Sequence, residues 1–293
     1  AQASRNTGRH MISTVLEHAS VGGTLTALQQ QGWEVDLLDI QRDGTIDLEQ
    51  LGDLLRKDTI LVSVCAVDSE LGTVQPIRKI TEILKDFPNC RLHVDATQAI
   101  GKTELVMDGV DTMSIAPHKF YGLNGSGLLL KKSSLIIEPQ THGGSSTTPY
   151  RSGTPALALA VSIEKALQLT LTQQEERIRY VRQLNEYLKT ALLHYPAVRI
   201  NSPEGAVPHI LNLSVQGLKG TVFQRVLSER GVCVSVKSAC SAEGTPSKAV
   251  FAVSGDRKNA LSSWRVSLSH LTTREELDEF LQVFDQCYKE LGP

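Results

Sequence analysis

The sequence predicts an α/β protein in which a large domain with a mostly parallel sheet precedes a smaller α+β domain. Strand-like apolar segments alternate with helix-like segments in the first part of the chain, as in parallel sheets whose strands are joined by helices. The segment from Thr59 to Val67 is almost continuously apolar, which favours a strand covered on both faces. From Ala197 the pattern changes to shorter elements. We therefore predict a large domain over 1–150, followed by a bridging helix and the small domain over 151–293.

Each element of the large domain follows from this alternation. The predicted strands are 10–16, 33–38, 59–67, 92–94 and 111–115, with helices over 21–31 and 48–56 and a helix-like span after the fourth strand. Strands and helices in this order need crossover connections, and these are typical of a parallel sheet.

The second half is predicted to begin with a long helical region. Apolar and charged residues recur at helical spacing from 156 to 195, with a break at the sequence QQEER, and this predicts a helix that bridges the two domains. The small domain is predicted to contain strands over 197–200, 209–215, 232–236 and 264–268, a helix over 221–229, and a terminal helix from Thr272 or Thr273. The sequence Thr273-Arg274-Glu275-Glu276 resembles a capping box.

Composition argues against several classes of protein. The 293 residues are 41% hydrophobic and 21% charged, as in ordinary globular proteins. A net charge of −2 gives no support for nucleic acid or an acidic membrane surface as a partner, and no apolar run has membrane-spanning length. The five cysteines lack CxxC spacing, which argues against a disulfide framework or a metal site and fits a reducing compartment.

Two polar motifs follow neighbouring predicted strands. Asp95 directly follows the predicted strand 92–94, and Gln98 lies three residues later. The pair His118-Lys119 follows the predicted strand 111–115. An acid and a lysine at neighbouring strand ends suit pyridoxal 5′-phosphate (PLP), because lysine forms a Schiff base and a carboxylate keeps the pyridine nitrogen protonated. Each motif alone has an ordinary alternative, a polar strand end or a solvated surface pair.

Together these motifs indicate a family. The sequences Val94-Asp95-Ala96-Thr97-Gln98 and His118-Lys119-Phe120-Tyr121-Gly122 resemble the cofactor core of cysteine desulfurases and selenocysteine lyases, in the class V branch of fold-type I PLP enzymes. The resemblance implies that Lys119 binds PLP covalently, that Asp95 stabilises the pyridinium and that Gln98 contacts the ring oxygen.

The resemblance implies further cofactor contacts and two departures from the family pattern. His18 matches a histidine that stacks on the PLP ring and takes part in acid–base steps, and His118 is predicted to bind the cofactor. The family usually has two asparagines where this chain has Asp68 and Ser69, so Ser69 is predicted to replace an amide donor to the ring oxygen. Ala116 stands where relatives commonly have a phosphate-binding serine.

The resemblance also implies a homodimer. In relatives the segment Arg151-Ser152-Gly153-Thr154 reaches across a dimer interface, and its threonine, here Thr154, contacts the partner's PLP phosphate. Relatives also carry an N-terminal segment that cradles this phosphate, and this chain begins just after that element should end. We expect either a fragment or variant, or a second chain that supplies the missing element.

A nucleophile and a carboxylate-binding arginine are predicted in the second half. Ser238-Ala239-Cys240-Ser241-Ala242 resembles the segment around the persulfide-forming cysteine of one desulfurase subgroup, which implies that Cys240 attacks the substrate sulfur from an accessible loop. Cys65 and Cys233 lie in apolar predicted strands and are expected to be buried. Arg265 matches the arginine that binds the substrate carboxylate, for which a planar guanidinium is suited.

The resemblance therefore implies a cysteine desulfurase that converts L-cysteine to L-alanine and transfers sulfur through a Cys240 persulfide to an acceptor protein. It implies a role in iron–sulfur cluster assembly, in the cytoplasm or the mitochondrial matrix. Selenocysteine lyase is an alternative, because the same site would accept selenium. A non-catalytic, desulfurase-like binding or scaffold protein is another, favoured by Ser69, Ala116 and the missing phosphate-binding segment.

Overall fold

A mostly parallel sheet forms the first half of the computed structural model, which describes residues 1–144, 148–237 and 244–292. Its strands are β1 (His10–Thr14), β2 (Glu34–Leu38), β3 (Thr59–Cys65), β4 (Arg91–Asp95), β5 (Thr112–Ile115) and β6 (Leu128–Lys131). Within the described ranges the order is β2-β1-β3-β4-β5-β6, and only β6 runs antiparallel to its neighbour. The predicted mostly parallel sheet is confirmed, and β6 is an additional edge strand.

Both faces of this sheet are covered. The helices of this half are α1 (Ala19–Gln30), α2 (Leu48–Leu54) and α3 (Ile77–Ile83). On one face Met11 packs with Leu25 of α1, and on the other face its neighbour Ile12 packs with Leu51 of α2 and Ile80 of α3. Successive residues of a strand point to opposite faces, so burial on both sides explains why β3 is apolar at nearly every position.

The second half contains a smaller antiparallel sheet. The helices α4 (Leu157–Thr172) and α5 (Gln174–Leu192) lead into strands β7 (Val198–Ile200), β8 (Ile210–Val215) and β9 (Ser263–Ser267), with helices α6 (Gly220–Glu229), α7 (Lys248–Ser254), α8 (Arg257–Ser262) and α9 (Arg274–Leu291). Trp264 of β9 is fully buried and stacks on Phe223 with ring centroids 5.5 Å apart. The two sheets lie on either side of residue 150 in the sequence, and the domain boundary there stays a prediction.

Two predicted helix boundaries are confirmed. The long helical region breaks at Gln173, inside the QQEER sequence. The terminal helix begins after Thr273, whose hydroxyl accepts a hydrogen bond from the Glu276 amide while the Glu276 side chain accepts one from the Thr273 amide. Among the described residues no helix is both long and apolar enough to cross a membrane.

Three local predictions are wrong. The span after β4 is a series of turns rather than a helix. The Asp95 carboxylate accepts a hydrogen bond from the Thr97 amide, and Gly101 has a left-handed backbone with a φ of +74°. The segment 232–236 is not a strand, since its pairing is limited to an isolated bridge between Ser235 and Arg265. Cys233 in that segment is exposed, whereas Cys65 is buried as predicted.

Candidate active site

The carboxyl ends of the parallel strands face a cavity of about 850 Å³. Ligands of open α/β sheets bind at this edge, outside the carboxyl ends of the strands. Seven residues predicted from the sequence line this cavity: His18, Ser69, Asp95, Gln98, His118, Lys119 and Arg265. Thr154 is exposed and lies outside the cavity lining, and Cys240 lies outside the described residues.

Asp95 and Gln98 are held by contacts close to the end of β4. Asp95 is the last residue of the strand and is buried, and its Oδ1 accepts a hydrogen bond from the Thr97 amide at 3.0 Å. The Gln98 Oε1 accepts one from the Lys102 ammonium at 2.6 Å. Both side chains are therefore oriented before any ligand binds, which limits the entropy lost when a ring is bound.

Lys119 lies on a short 3₁₀ turn after β5. Its side chain is exposed on the cavity wall and makes no hydrogen bond or ion pair to any described residue. The turn that follows is sterically tight. Tyr121 has a φ of +73°, and a Cβ on Gly122 would lie 2.7 Å from the Pro117 side chain. Such strained backbone occurs mainly at functional sites, and here it directly follows Lys119.

His18 caps the first helix of the chain. Its Nδ1 accepts a hydrogen bond from the Ser20 amide at 3.2 Å and lies 2.9 Å from the Ser20 hydroxyl. An accepting Nδ1 carries no proton, so the neutral ring carries its proton on Nε2. The helix-cap role fixes the ring while leaving Nε2 without a described partner, which suits a ring that stacks on a ligand.

Glu17 is a buried carboxyl group that the sequence analysis did not single out. Its Oε1 accepts hydrogen bonds from the Cys65 amide at 2.7 Å and the Thr14 hydroxyl at 3.1 Å, while its Oε2 is buried without a hydrogen bond to any of the residues described. Burial raises the pKa of Glu17 to about 8, above its ordinary value of 4.5. The signal available in the sequence was an acid among apolar residues directly before His18.

We expect Glu17→Gln to change the pH dependence of stability. Between pH 4.5 and 8 the unfolded chain loses the Glu17 proton while the folded chain keeps it, so the wild type loses stability as the pH rises through this window. Glutamine does not titrate, so the free energy of unfolding of the variant should rise by about 4 kcal/mol relative to the wild type between pH 4.5 and pH 9. Urea unfolding at both pH values measures this gain.

The matched control is Glu82→Gln, which removes an exposed carboxylate. Its free energy of unfolding should differ from that of the wild type by nearly the same amount at both pH values. Equal behaviour of the two variants would show that Glu17 does not hold its proton in the folded protein.

Arg265 reaches the cavity from the small sheet. Its backbone exchanges hydrogen bonds with Ser235, at 2.6 and 3.1 Å, and its Nη1 donates to the carbonyl oxygen of Ser69. The contact with Ser69 ties β9 to the turn that follows β3, and the contact with Ser235 holds β9 against the segment 232–236. The structure thus uses the Ser69 backbone to orient the arginine, while the predicted role of the Ser69 hydroxyl stays a prediction.

The turn at Asp68 explains one departure from the family pattern. The Asp68 carboxylate accepts hydrogen bonds from the amides of Glu70, at 3.0 Å, and Leu71. Burial raises the pKa of Asp68 to about 7, and the nearby charge of Arg265 opposes this shift. Asp68 therefore shapes the turn that carries Ser69.

The residues on the cavity wall fit PLP. They provide a primary amine, a buried carboxylate, an amide, an imidazole and a guanidinium, all of which line one cavity. Lys119 would bind the aldehyde carbon, Asp95 the pyridine nitrogen, Gln98 the ring oxygen, and His18 would stack on the ring. Ala116 also lines the cavity and has no hydroxyl group for a phosphate.

The model of the aminotransferase class-V family matches residues 1–280 of the chain. The chain belongs to this family. Class-V aminotransferases and their desulfurase relatives use PLP, so the match agrees with the donor set on the cavity wall. The predicted fold class and cofactor are confirmed by this result.

Relatives and solved structures agree with this family. A protein described as a NifS/IcsS protein homolog from Lactobacillus delbrueckii subsp. bulgaricus is 37% identical over 295 residues, which cover 99% of this chain and 77% of the relative. Cysteine desulfurase IscS of Dictyoglomus turgidum is 32% identical, over 97% of this chain and 73% of the relative. A solved structure described as a NifS-like protein has a TM-score of 0.92 at 30% identity, covering 99% of this chain and 78% of its own.

A further similar structure was solved with a ligand. The structure described as SspA in complex with cysteine has a TM-score of 0.78 at 27% identity, covering 93% of this chain and 76% of its own.

Proposed function

We propose that the protein is a PLP-dependent cysteine desulfurase, which removes sulfur from L-cysteine and releases L-alanine. The observation that carries the proposal is the cavity that combines Lys119 and Asp95 with Arg265. The first two residues serve a pyridine cofactor, and the third serves an α-carboxylate. Family membership, relatives described as cysteine desulfurases and the cysteine complex of SspA support it.

Each residue of the proposed active site has a separate role in the reaction. When bound, PLP supplies an electron sink next to the substrate carbon, and Asp95 maintains this property by holding the ring nitrogen protonated. The guanidinium of Arg265 binds the substrate carboxylate through two parallel hydrogen bonds. The Lys119 amine would remove the proton from Cα of the substrate, and His18 would assist in the acid–base steps.

Sulfur leaves in a step that needs the nucleophile. The Cys240 thiolate attacks the substrate Sγ, so an S–S bond forms while the Cβ–S bond breaks and its electron pair remains with the substrate carbons. Cβ then takes up a proton and the Lys119 amine returns one to Cα, which completes alanine and leaves a persulfide on Cys240. The persulfide is proposed to pass its terminal sulfur to an acceptor protein that serves iron–sulfur cluster assembly, in the cytoplasm or the mitochondrial matrix.

One assay tests the function. Purified protein incubated with PLP, L-cysteine and a thiol reductant should release alanine and sulfide in equal amounts. Parallel incubation with L-selenocysteine compares the two substrates, and much faster turnover of selenocysteine would favour the lyase. Protein that stays colourless with added PLP and releases no alanine would favour the non-catalytic scaffold.

A homodimer is part of the proposal. Support comes from the resemblance of residues 151–154 to an interface segment and from exposed apolar side chains nearby in the sequence, at Ile136 and Leu157. A site shared between two chains makes activity depend on association. Sedimentation velocity at micromolar concentration should give twice the mass of the chain.

Thr154→Ala should leave the dimer intact and weaken PLP binding by about tenfold, because one hydrogen bond to a charged phosphate is lost. A strict monomer with full activity would contradict this arrangement.

A further inference from the structure

A second, smaller cavity of about 260 Å³ adjoins the active-site cavity. Lys119 and Arg265 line both cavities. Part of the smaller cavity lies outside the active-site cavity, and we call this part the basic chamber. It is lined by Lys102, Arg177, His209 and His270. These residues come from the turns after β4, from α5, and from the segments that flank β8 and β9.

The described residues that line the basic chamber are basic and include no acid, although Asp68 and Glu70 lie near Arg265. No aspartate or glutamate is among the described residues that line the smaller cavity. The Lys102 ammonium donates to an amide oxygen, that of Gln98, rather than to a carboxylate. Burial and the charges of Lys119 and Arg265 lower the pKa of Lys102 to about 8. A buried ammonium in this setting normally has an opposite charge beside it.

Several hydrogen-bonding atoms on the chamber wall have no partner. His209 is 8% exposed, and its Nδ1 is buried without a hydrogen bond to the described part of the chain. The Nε atoms of Arg177 and Arg265 are buried and unpaired in the same way. Each such group costs about 1–3 kcal/mol when it is left unsatisfied. Three of them around one cavity, with no acidic side chain in its described lining, favour a ligand that accepts hydrogen bonds.

We propose that the basic chamber binds a small anion with at least two acceptor oxygens, either an inorganic oxoanion or a short dicarboxylate. The guanidinium groups of Arg177 and Arg265 and the imidazole of His209 would donate to it. The cavity of about 260 Å³ is smaller than the 300–1,000 Å³ typical of sites for larger organic ligands, so the anion must be small.

An anion bound in the basic chamber would inhibit substrate binding. Because Arg265 lines both cavities, an anion in the basic chamber competes with a substrate carboxylate for the same guanidinium. Anion binding itself rests on the chamber alone, whereas this competition rests on the proposed desulfurase function. The two are therefore tested by different measurements.

Anion binding should be coupled to proton uptake. Desolvation and nearby cations lower the pKa values of Lys102, His209 and His270, and a bound anion stabilises their protonated forms. At pH 8 the protein should therefore take up protons as the anion binds. The groups that face these three side chains are Lys119, Arg265, Gln98, Arg177 and the ring of Tyr121.

Isothermal titration calorimetry tests the proposal on the purified protein. Sulfate and malonate are titrated separately at pH 8 and constant ionic strength, in two buffers with different ionisation enthalpies, so that proton uptake is measured directly. We expect binding of at least one of them with net proton uptake, and the comparison of the two identifies the preferred class of anion. Arg177→Gln should weaken this binding by about tenfold or more, as expected when a charged donor is lost.

The matched control is Arg179→Gln, on the same helix but exposed and outside the chamber, which should bind like the wild type. His270→Gln provides a second variant, and circular dichroism confirms that all variants fold. Absence of binding for both anions at 10 mM, or equal effects of Arg177→Gln and Arg179→Gln, would overturn the proposal. Competition is read separately, as a rise in the KM for L-cysteine when the binding anion is present.

Discussion

Lys119→Ala should abolish the visible absorbance of the PLP-loaded protein and lower cysteine turnover by at least about 10³-fold. The amine is exposed on the cavity wall and has no hydrogen bond or ion pair to a described residue, so it is available to bind an aldehyde carbon. In the proposed mechanism its loss removes both the covalent link to the cofactor and the group that moves protons at the substrate carbons. Absorbance spectra and alanine release measure the two effects.

Two controls make the Lys119 result specific. Lys79→Ala removes an exposed lysine of α3 and should leave absorbance and turnover unchanged. Borohydride reduction of the wild type should fix PLP on the peptide that contains Lys119, and mass spectrometry identifies that peptide. A PLP adduct on another lysine, or full turnover in the Lys119→Ala variant, would refute the assignment.

Cys240→Ser should retain the visible absorbance yet lower sulfide release from cysteine by at least about 10²-fold. The other cysteines are less suited to the attack. Cys65 lines the active-site cavity, but burial raises its pKa well above the ordinary value, so its thiol stays protonated. Cys90 and Cys287 are buried. With selenocysteine the loss should be smaller, because selenium leaves more readily without an attacking thiol.

Cys233→Ser is the matched control for the nucleophile, because Cys233 is an exposed cysteine seven positions earlier in the chain. It should retain full sulfide release. Alkylation after brief incubation with cysteine, followed by peptide mapping, locates the persulfide. A persulfide on any other cysteine, or undiminished turnover in Cys240→Ser, would show that the nucleophile lies elsewhere.

Local sequence patterns predicted what depends on periodicity and burial. Strand β3 was predictable because a strand covered on both faces must be apolar along its length, and the capping box at Thr273 was predictable because its contacts lie within one turn of helix. The turns after β4 were not predictable in this way. There a single side-chain contact, from the Thr97 amide to the Asp95 carboxylate, and the left-handed backbone of Gly101 prevent a helix.

The properties that the sequence did not predict are tertiary. The pKa of Glu17 is raised because its carboxyl group is buried beside Cys65. Glu17 and Cys65 are 48 positions apart in the chain. The basic chamber likewise brings together Lys102, Arg177 and His209. These residues are far apart in the chain, and no sequence pattern connects them. Such charge states depend on the packing of distant segments, so a pattern read along the chain cannot predict them.

The contact between Arg265 and the Ser69 carbonyl has a consequence for the order of synthesis. These residues are 196 positions apart, which corresponds to about 10–40 s of translation at 5–20 residues per second. The strands that carry Asp95 and Lys119 are complete long before β9 leaves the ribosome. The backbone that orients Arg265 is therefore synthesised well before Arg265 itself, and this arginine is the last of the predicted site residues to be added to the growing chain.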